Sequence, residues 1–261
     1  MRTPSATGRE PGGQSCPISS HGTSTIPRAS PGSPSCSIPP RSPAPRPGPA
    51  VVAARPRTPA ELSAAGLSWI HLDRPDTRAA SVLAERFGWH PLDVEDVLSK
   101  RQRPKVDDHV DDGYLFAVLH FPVYDPAVQR LNAAELDVFV GPDYLVTLPT
   151  VELLPLTRLF QRCEERESFR EELFARGSGR LLYEALDDLF DYCFPILDKI
   201  GHKLDTIEDE MFEGRAEDVV RDISNVKQEI ISYRKITKPQ RPVLRQLEQA
   251  GERYLASEDL D

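Results

Sequence analysis

Apolar positions along this chain follow three different rules. In residues 1–57 they have no period. Between 58 and 178 they come in short runs divided by turn residues. Beyond 179 they recur every three or four residues. Short runs bounded by Gly, Pro, Asn or Asp mark strands, whereas a spacing of three to four marks one face of a helix.

Leu67-Ser-Trp-Ile-His-Leu-Asp73 reads as a strand. Asp76 or Thr77 then caps a helix to Phe87, stopped by Gly88. His90-Pro91 opens a short helix, because the fixed φ of proline suits a first turn. Tyr114 to Tyr124 predicts a buried strand. Glu135 to Val140 and Tyr144 to Leu148 predict a hairpin about Gly141-Pro142-Asp143. Leu153 to Glu167 reads as helical. Leu182, Leu186, Leu189, Cys193, Ile196, Ile200, Leu204, Ile207 and Met211 predict one helix of roughly 30 residues, disturbed at Pro195. Gly214 breaks it. Val219, Ile223, Val226, Ile230 and Tyr233 resume the spacing on a second helix, which Pro239 and Pro242 kink or end. The short connection lets the two lie antiparallel.

The expected fold class is therefore α/β (α+β). A mixed β-sheet layered with helices occupies 58–178, and a long antiparallel helical hairpin occupies 179–261. Residues 1–57 hold 13 prolines. They cannot bury enough apolar surface to offset the entropy of ordering, so a disordered Pro/Ser/Arg-rich tail is expected.

Charge sharpens the division. The chain carries 32 basic and 41 acidic residues. The tail takes seven of the arginines and one glutamate, Glu10, which leaves 25 basic and 40 acidic residues, a balance of −15, in 58–261. Such a surface repels nucleic acid and anionic lipid and attracts cations. The longest apolar-rich stretch, Leu115 to Tyr124, is interrupted by His120 and Pro122, far short of the roughly 18–20 apolar residues that span a bilayer. No signal-peptide core is visible at the N-terminus. Cys16, Cys36, Cys163 and Cys193 lack CxxC spacing and read as reduced thiols.

The most pointed cluster is His90-Pro-Leu-Asp-Val-Glu-Asp96. Asp93 and Asp96 share a helix face, with Glu95 beside them. Several carboxylates in one turn suit hard divalent cations. Acids near a helix N-terminus are also favoured by the macrodipole alone, by about 0.3–1 kcal/mol each. Both readings fit these residues. Asp107, Asp108, Asp111 and Asp112, with His109, form a second acidic group, which reads more simply as a polar turn before the Tyr114 strand than as a metal site. His21, His71, His120 and His202 stand alone. There is no HExxH, Walker loop, GxSxG or GxGxxG, so no enzyme is expected. A metal-dependent hydrolase built on His90 is the weakest reading.

Taken in order, a set of landmarks resembles the cytosolic region of the CorA family of magnesium and cobalt transporters. They are Trp69-Ile-His-Leu-Asp73, His90-Pro-Leu-Asp-Val-Glu-Asp96, Gln102-Arg-Pro-Lys-Val106, Tyr114-Leu-Phe-Ala-Val-Leu119, Tyr144-Leu-Val-Thr147, Leu181-Leu-Tyr-Glu-Ala-Leu-Asp187, Phe194-Pro-Ile-Leu-Asp198, Ile207-Glu-Asp-Glu-Met-Phe212 and Arg234-Lys-Ile-Thr-Lys-Pro239. Their collinear order over 67–250 carries the resemblance. It implies a cation-sensing and gating region on the cytoplasmic side of a cell membrane, in a homopentamer around one pore. It implies metal ligands at Glu95, Asp96 and Asp187, with magnesium bound weakly between subunits as the regulatory ion. Asp93 stands at a variable motif position and is not carried over as a ligand. The stalk helix with its partner ligands, and the pore helix with its Gly-Met-Asn signature, have no counterpart before Asp261, so membrane contact is expected only through helices that follow. Two alternatives remain: a zinc-transporting relative of the same architecture, and a free soluble oligomerisation or interaction module.

Overall fold

The computed structural model describes residues 59–99, 102–127, 130–212 and 216–255. The expected disorder of 1–57 and the break at Gly214 lie outside these residues. Strand β1 (Ala60–Ala64) turns back into β2 (Leu67–His71), and α1 (Thr77–Phe87) and α2 (Pro91–Leu98) follow. Then come β3 (Lys105–His109), β4 (Tyr114–Asp125), β5 (Arg130–Val140) and β6 (Tyr144–Pro149). The helices α3 (Leu154–Glu165), α4 (Glu167–Phe174), α5 (Gly177–Asp191), α6 (Phe194–Phe212), α7 (Ala216–Thr237) and α8 (Gln240–Gly251) complete the chain.

The strands form one sheet in the order β1-β2-β6-β5-β4-β3. Only β2 and β6 are parallel; every other neighbour is antiparallel. Alternation along the strands builds two cores. Leu115, Ala117 and Leu119 of β4 face α3, α4, α5 and α8 with Leu136, Val138 and Leu145. Tyr114, Phe116 and Val118 face α1 and α2 with Phe139, Val146 and Leu148. Phe139 is sandwiched by aromatic rings, with the Trp89 and Phe116 centroids at 3.6 and 4.5 Å. Each such side chain contributes about 1.5–3 kcal/mol by burial.

Local signals set the boundaries of the first helices. Asp76 accepts from Ala79 N–H at α1, and Gly88 ends that helix in the left-handed conformation. His90 caps α2 with Pro91 in its first turn. At Gly141 an added Cβ would meet the Tyr144 ring at 2.2 Å, so glycine is required by the close approach.

Four expectations change. Asp107 to His109 are not a turn but the end of edge strand β3, paired with β4; the turn begins at Val110. Polar residues suit an edge strand, where charge discourages further pairing. Strand β1 carried no apolar run and was not expected. The helix expected from Leu153 to Glu167 gives way at Arg166 to α4. The single 30-residue helix is two, because α5 ends at Asp191 and α6 begins at Phe194. The Pro195 ring conflicts with the carbonyl four residues earlier, which belongs to Asp191.

Packing also places the change of character later than the 178/179 boundary. Leu181, Leu182, Ala185 and Leu189 of α5 and Val243 and Leu247 of α8 belong to the sheet's core. Only α6 and α7 form a separate hairpin, around Ile200, Ile207, Val219 and Val226. It leans on the far end of the β4–β5 pair at Leu131.

Candidate metal centre

The acidic centre is built where α2 crosses the edge of the sheet at β3. The backbone N–H of His90 donates to Tyr114 Oη at 2.8 Å, and that hydroxyl donates to Asp93 Oδ2 at 2.6 Å. His109 stacks on Tyr114 and brings Nε2 to 2.9 Å from the same oxygen. Asp93 is only 2% exposed. Its carboxylate thus braces α2 against β3 and β4.

One turn along α2, Asp96 is half-buried and doubly held. Oδ1 accepts from Gln102 Nε2 at 2.8 Å, and Oδ2 accepts from Lys105 Nζ at 2.5 Å. The same ammonium contacts Asp107 Oδ2 and sits 5.1 Å above the Phe116 ring. Burial works to lower the Lys105 pKa, but hydrogen bonds to Asp107 and Asp96 outweigh it and the net shift is upward. Asp93, Asp96 and Asp107 each bring one oxygen within 4.8 Å of the others.

Two further carboxylates lie behind this cluster on the same sheet face. Glu135 Oε2 accepts from Gln102 N–H at 2.8 Å and lies 3.3 Å from His120 Nε2. Asp137 is fully buried, and neither of its oxygens has a hydrogen-bond partner. Burial pushes its carboxyl well above the ordinary range, and the charges of Glu135 and Asp96 push the same way. Lys105 opposes them.

The residues expected from sequence are arranged unequally. Glu95 is exposed and makes no hydrogen bond or ion pair among the described residues. Asp96 is beside it in α2. Asp187 is exposed on α5, at the rim of a cavity of about 550 Å³ lined by Leu182, Tyr183, Leu186 and Leu244. Helix α2 covers one face of the sheet and α5 the other. Within one chain, Asp187 is therefore kept apart from Glu95 and Asp96. Lys105 and Asp137 escaped sequence reasoning, whereas Asp107 is read there in a second acidic group and not as a neighbour of Asp93 and Asp96. Lys105 stands in the Gln102–Val106 landmark, two residues before Asp107, which the sequence reads as the start of a turn. Asp137 sits between apolar residues, and an acid on a buried face was the available signal.

A family model described as CorA-like Mg2+ transporter protein matches residues 64–261. The cobalt/magnesium transport protein CorA of Thermotoga maritima is 28% identical over 166 residues, which cover 63% of this chain and 46% of that protein. The protein of the same name from Methanocaldococcus jannaschii is 21% identical over 178 residues, covering 68% and 54%. The chain thus spans about half the length of the curated relatives it matches. The solved soluble domain of CorA from Methanocaldococcus jannaschii superposes with a TM-score of 0.62 at 21% identity, covering 74% of this chain and 75% of that one. That likeness shows the shared fold.

Proposed function

The chain belongs to the CorA-like Mg2+ transporter family, and from that premise we propose that it is the cation-sensing and gating region of a divalent metal ion transporter, whose regulatory ions bind between copies of the chain. One observation carries the reading. Glu95 and Asp96 lie on one face of the sheet and Asp187 on the other, so an ion that uses all three joins two molecules. Repetition of that contact generates a ring, and a pentamer is the assembly we propose.

The mechanism is electrostatic. Without an ion, Glu95 of one copy and Asp187 of the next repel, and the acidic hairpins of neighbours add to the repulsion. A magnesium ion reverses the sign of the contact and favours the closed, symmetric packing. This is a population shift driven by differential affinity for two states. Carboxylate sites of this kind work at a Kd on the order of 10⁻⁴–10⁻³ M when they serve as low-affinity sensors. The proposed location is the cytoplasmic side of a cell membrane. No helix of the described residues is long and apolar enough to cross one.

Sedimentation velocity across a magnesium titration tests the proposal. The expected result is a magnesium-dependent faster species that Asp187→Asn abolishes. Assembly indifferent to magnesium would favour an interaction module instead. One observation supports that second reading: Leu197, Leu204 and Met211 are exposed seven residues apart on α6, a spacing that suits helix pairing.

A further inference from the structure

The cluster between α2 and β3 holds an arrangement that a bridging ion leaves unused. Asp93, Asp96 and Asp107 bring three oxygens within 4.8 Å of one another, a set that suits a hard divalent cation. The position between two of them is already taken by the chain's own cation, since Lys105 Nζ bonds Asp96 at 2.5 Å and contacts Asp107. Asp137 stands two strands away from that lysine on the same sheet. Lys105 and Asp137 both register with Val118, from β3 and β5 respectively. Their side chains rise from the same face, two strand spacings or about 10 Å apart at Cα. A flexible four-carbon stem and a short carboxylate cover that gap. Asp137 is 0% exposed and neither oxygen has a donor. A buried carboxylate without donors is costly, and an arriving ammonium relieves the cost.

We infer that Asp93, Asp96 and Asp107 form a divalent-cation site within one chain, that Lys105 fills it in the ion-free protein, and that Lys105 withdraws to Asp137 when an ion enters. The exchange leaves no charge unpaired: the ion meets the three outer carboxylates, and the ammonium meets the inner one, any proton on Asp137 passing to solvent as the ammonium arrives. The inference deepens the bridging reading at Asp96, where both sites meet, but needs no second copy. It makes the affinity for the ion a difference between two cations competing for the same oxygens, and so places control of the sensor's threshold in Lys105.

Isothermal titration of the full chain with Mn2+ tests it. Lys105→Met keeps the stem over Phe116 and removes the competitor. It should tighten binding about tenfold, equivalent to roughly 1.4 kcal/mol. Adding Asp107→Asn should cancel that gain. Asp137→Asn should weaken binding in the wild type and leave Lys105→Met unchanged, which a merely structural role for Asp137 does not predict. Lys105→Gln and thermal melts guard against a misfolded variant. No gain in either Lys105 variant, with wild-type binding still lost in Asp187→Asn, overturns the inner site and leaves the bridging site standing. A gain in Lys105→Met with binding indifferent to Asp187→Asn supports the inner site and removes the bridging one. No binding in any variant removes both.

Discussion

The chain concentrates acids in two places and treats them differently. At the α2–β3 edge Asp93, Asp96 and Glu135 are buried or half-buried and held by Tyr114, Gln102, His120 and Lys105. Along the hairpin, Asp198, Asp205, Glu208 and Asp209 stand exposed. The hairpin pairings that do form include Lys203 with Glu229 at 2.5 Å. Composition alone makes the two regions look alike. Burial separates them, because a charge that has left water must find partners, whereas a solvated one need not. The carboxylates of the edge that have partners are therefore positioned by the fold itself. The hairpin supplies a diffuse field.

The contrast is broken or sharpened most strongly by the core beneath the edge. Phe139→Ala removes the ring between Trp89 and Phe116 and should cost about 3–5 kcal/mol. Met211→Ala on the exposed side of the hairpin should stay within about 0.5 kcal/mol. Chemical denaturation measures both. Next, Asp93→Ala leaves the Tyr114 hydroxyl without its acceptor and should cost about 1–3 kcal/mol. Equal losses for Asp93→Ala and Asp205→Ala would erase the distinction between the regions.

A pH dependence follows from Asp137. Its folded pKa lies above its unfolded one. Its stabilising contribution is therefore present below the unfolded value, near pH 3.9, and is lost as pH rises through the folded value. Asp137→Asn should raise the melting temperature at about pH 8 and change it little near pH 4. The smallest effect belongs to the hairpin. Asp205→Asn and Glu208→Gln together should shift stability by less than about 0.5 kcal/mol.

Much of the sheet and its first helices was legible because short-range chemistry sets them. Asp76 and Gly88 punctuate α1, and Pro91 opens α2. The resemblance of ordered motifs reached the family, and the matched region extends it to residues 64–261. Three things were not legible. Strand β1 alternates weakly, and its pairing with β2 decides it. The strand at Asp107 reads as a turn because edge strands tolerate charge, and Lys105 just before it carries no signal of the acids it meets. The assignment of α5 to the sheet rather than to the hairpin rests on tertiary packing of Leu181, Ala185 and Leu189, since the apolar spacing runs through Pro195 without a signal of which partner it faces. Of the metal ligands expected, Glu95 and Asp96 share a helix, while Asp187 lies across the sheet; the sequence contains no information on that separation until the strand order is known.

The central claim is that the ion joins two copies through opposite faces of the sheet. Mixing two defective variants tests it most directly. Glu95→Gln removes a proposed ligand from one face and Asp187→Asn a proposed ligand from the other, and both residues are exposed, so neither disturbs the core. Each variant alone should fail to form the faster-sedimenting species in magnesium. An equimolar mixture should recover a magnesium-dependent pair, because the unaltered face of each molecule meets the unaltered face of the other. A mixture that sediments as the sum of its two components would contradict the account.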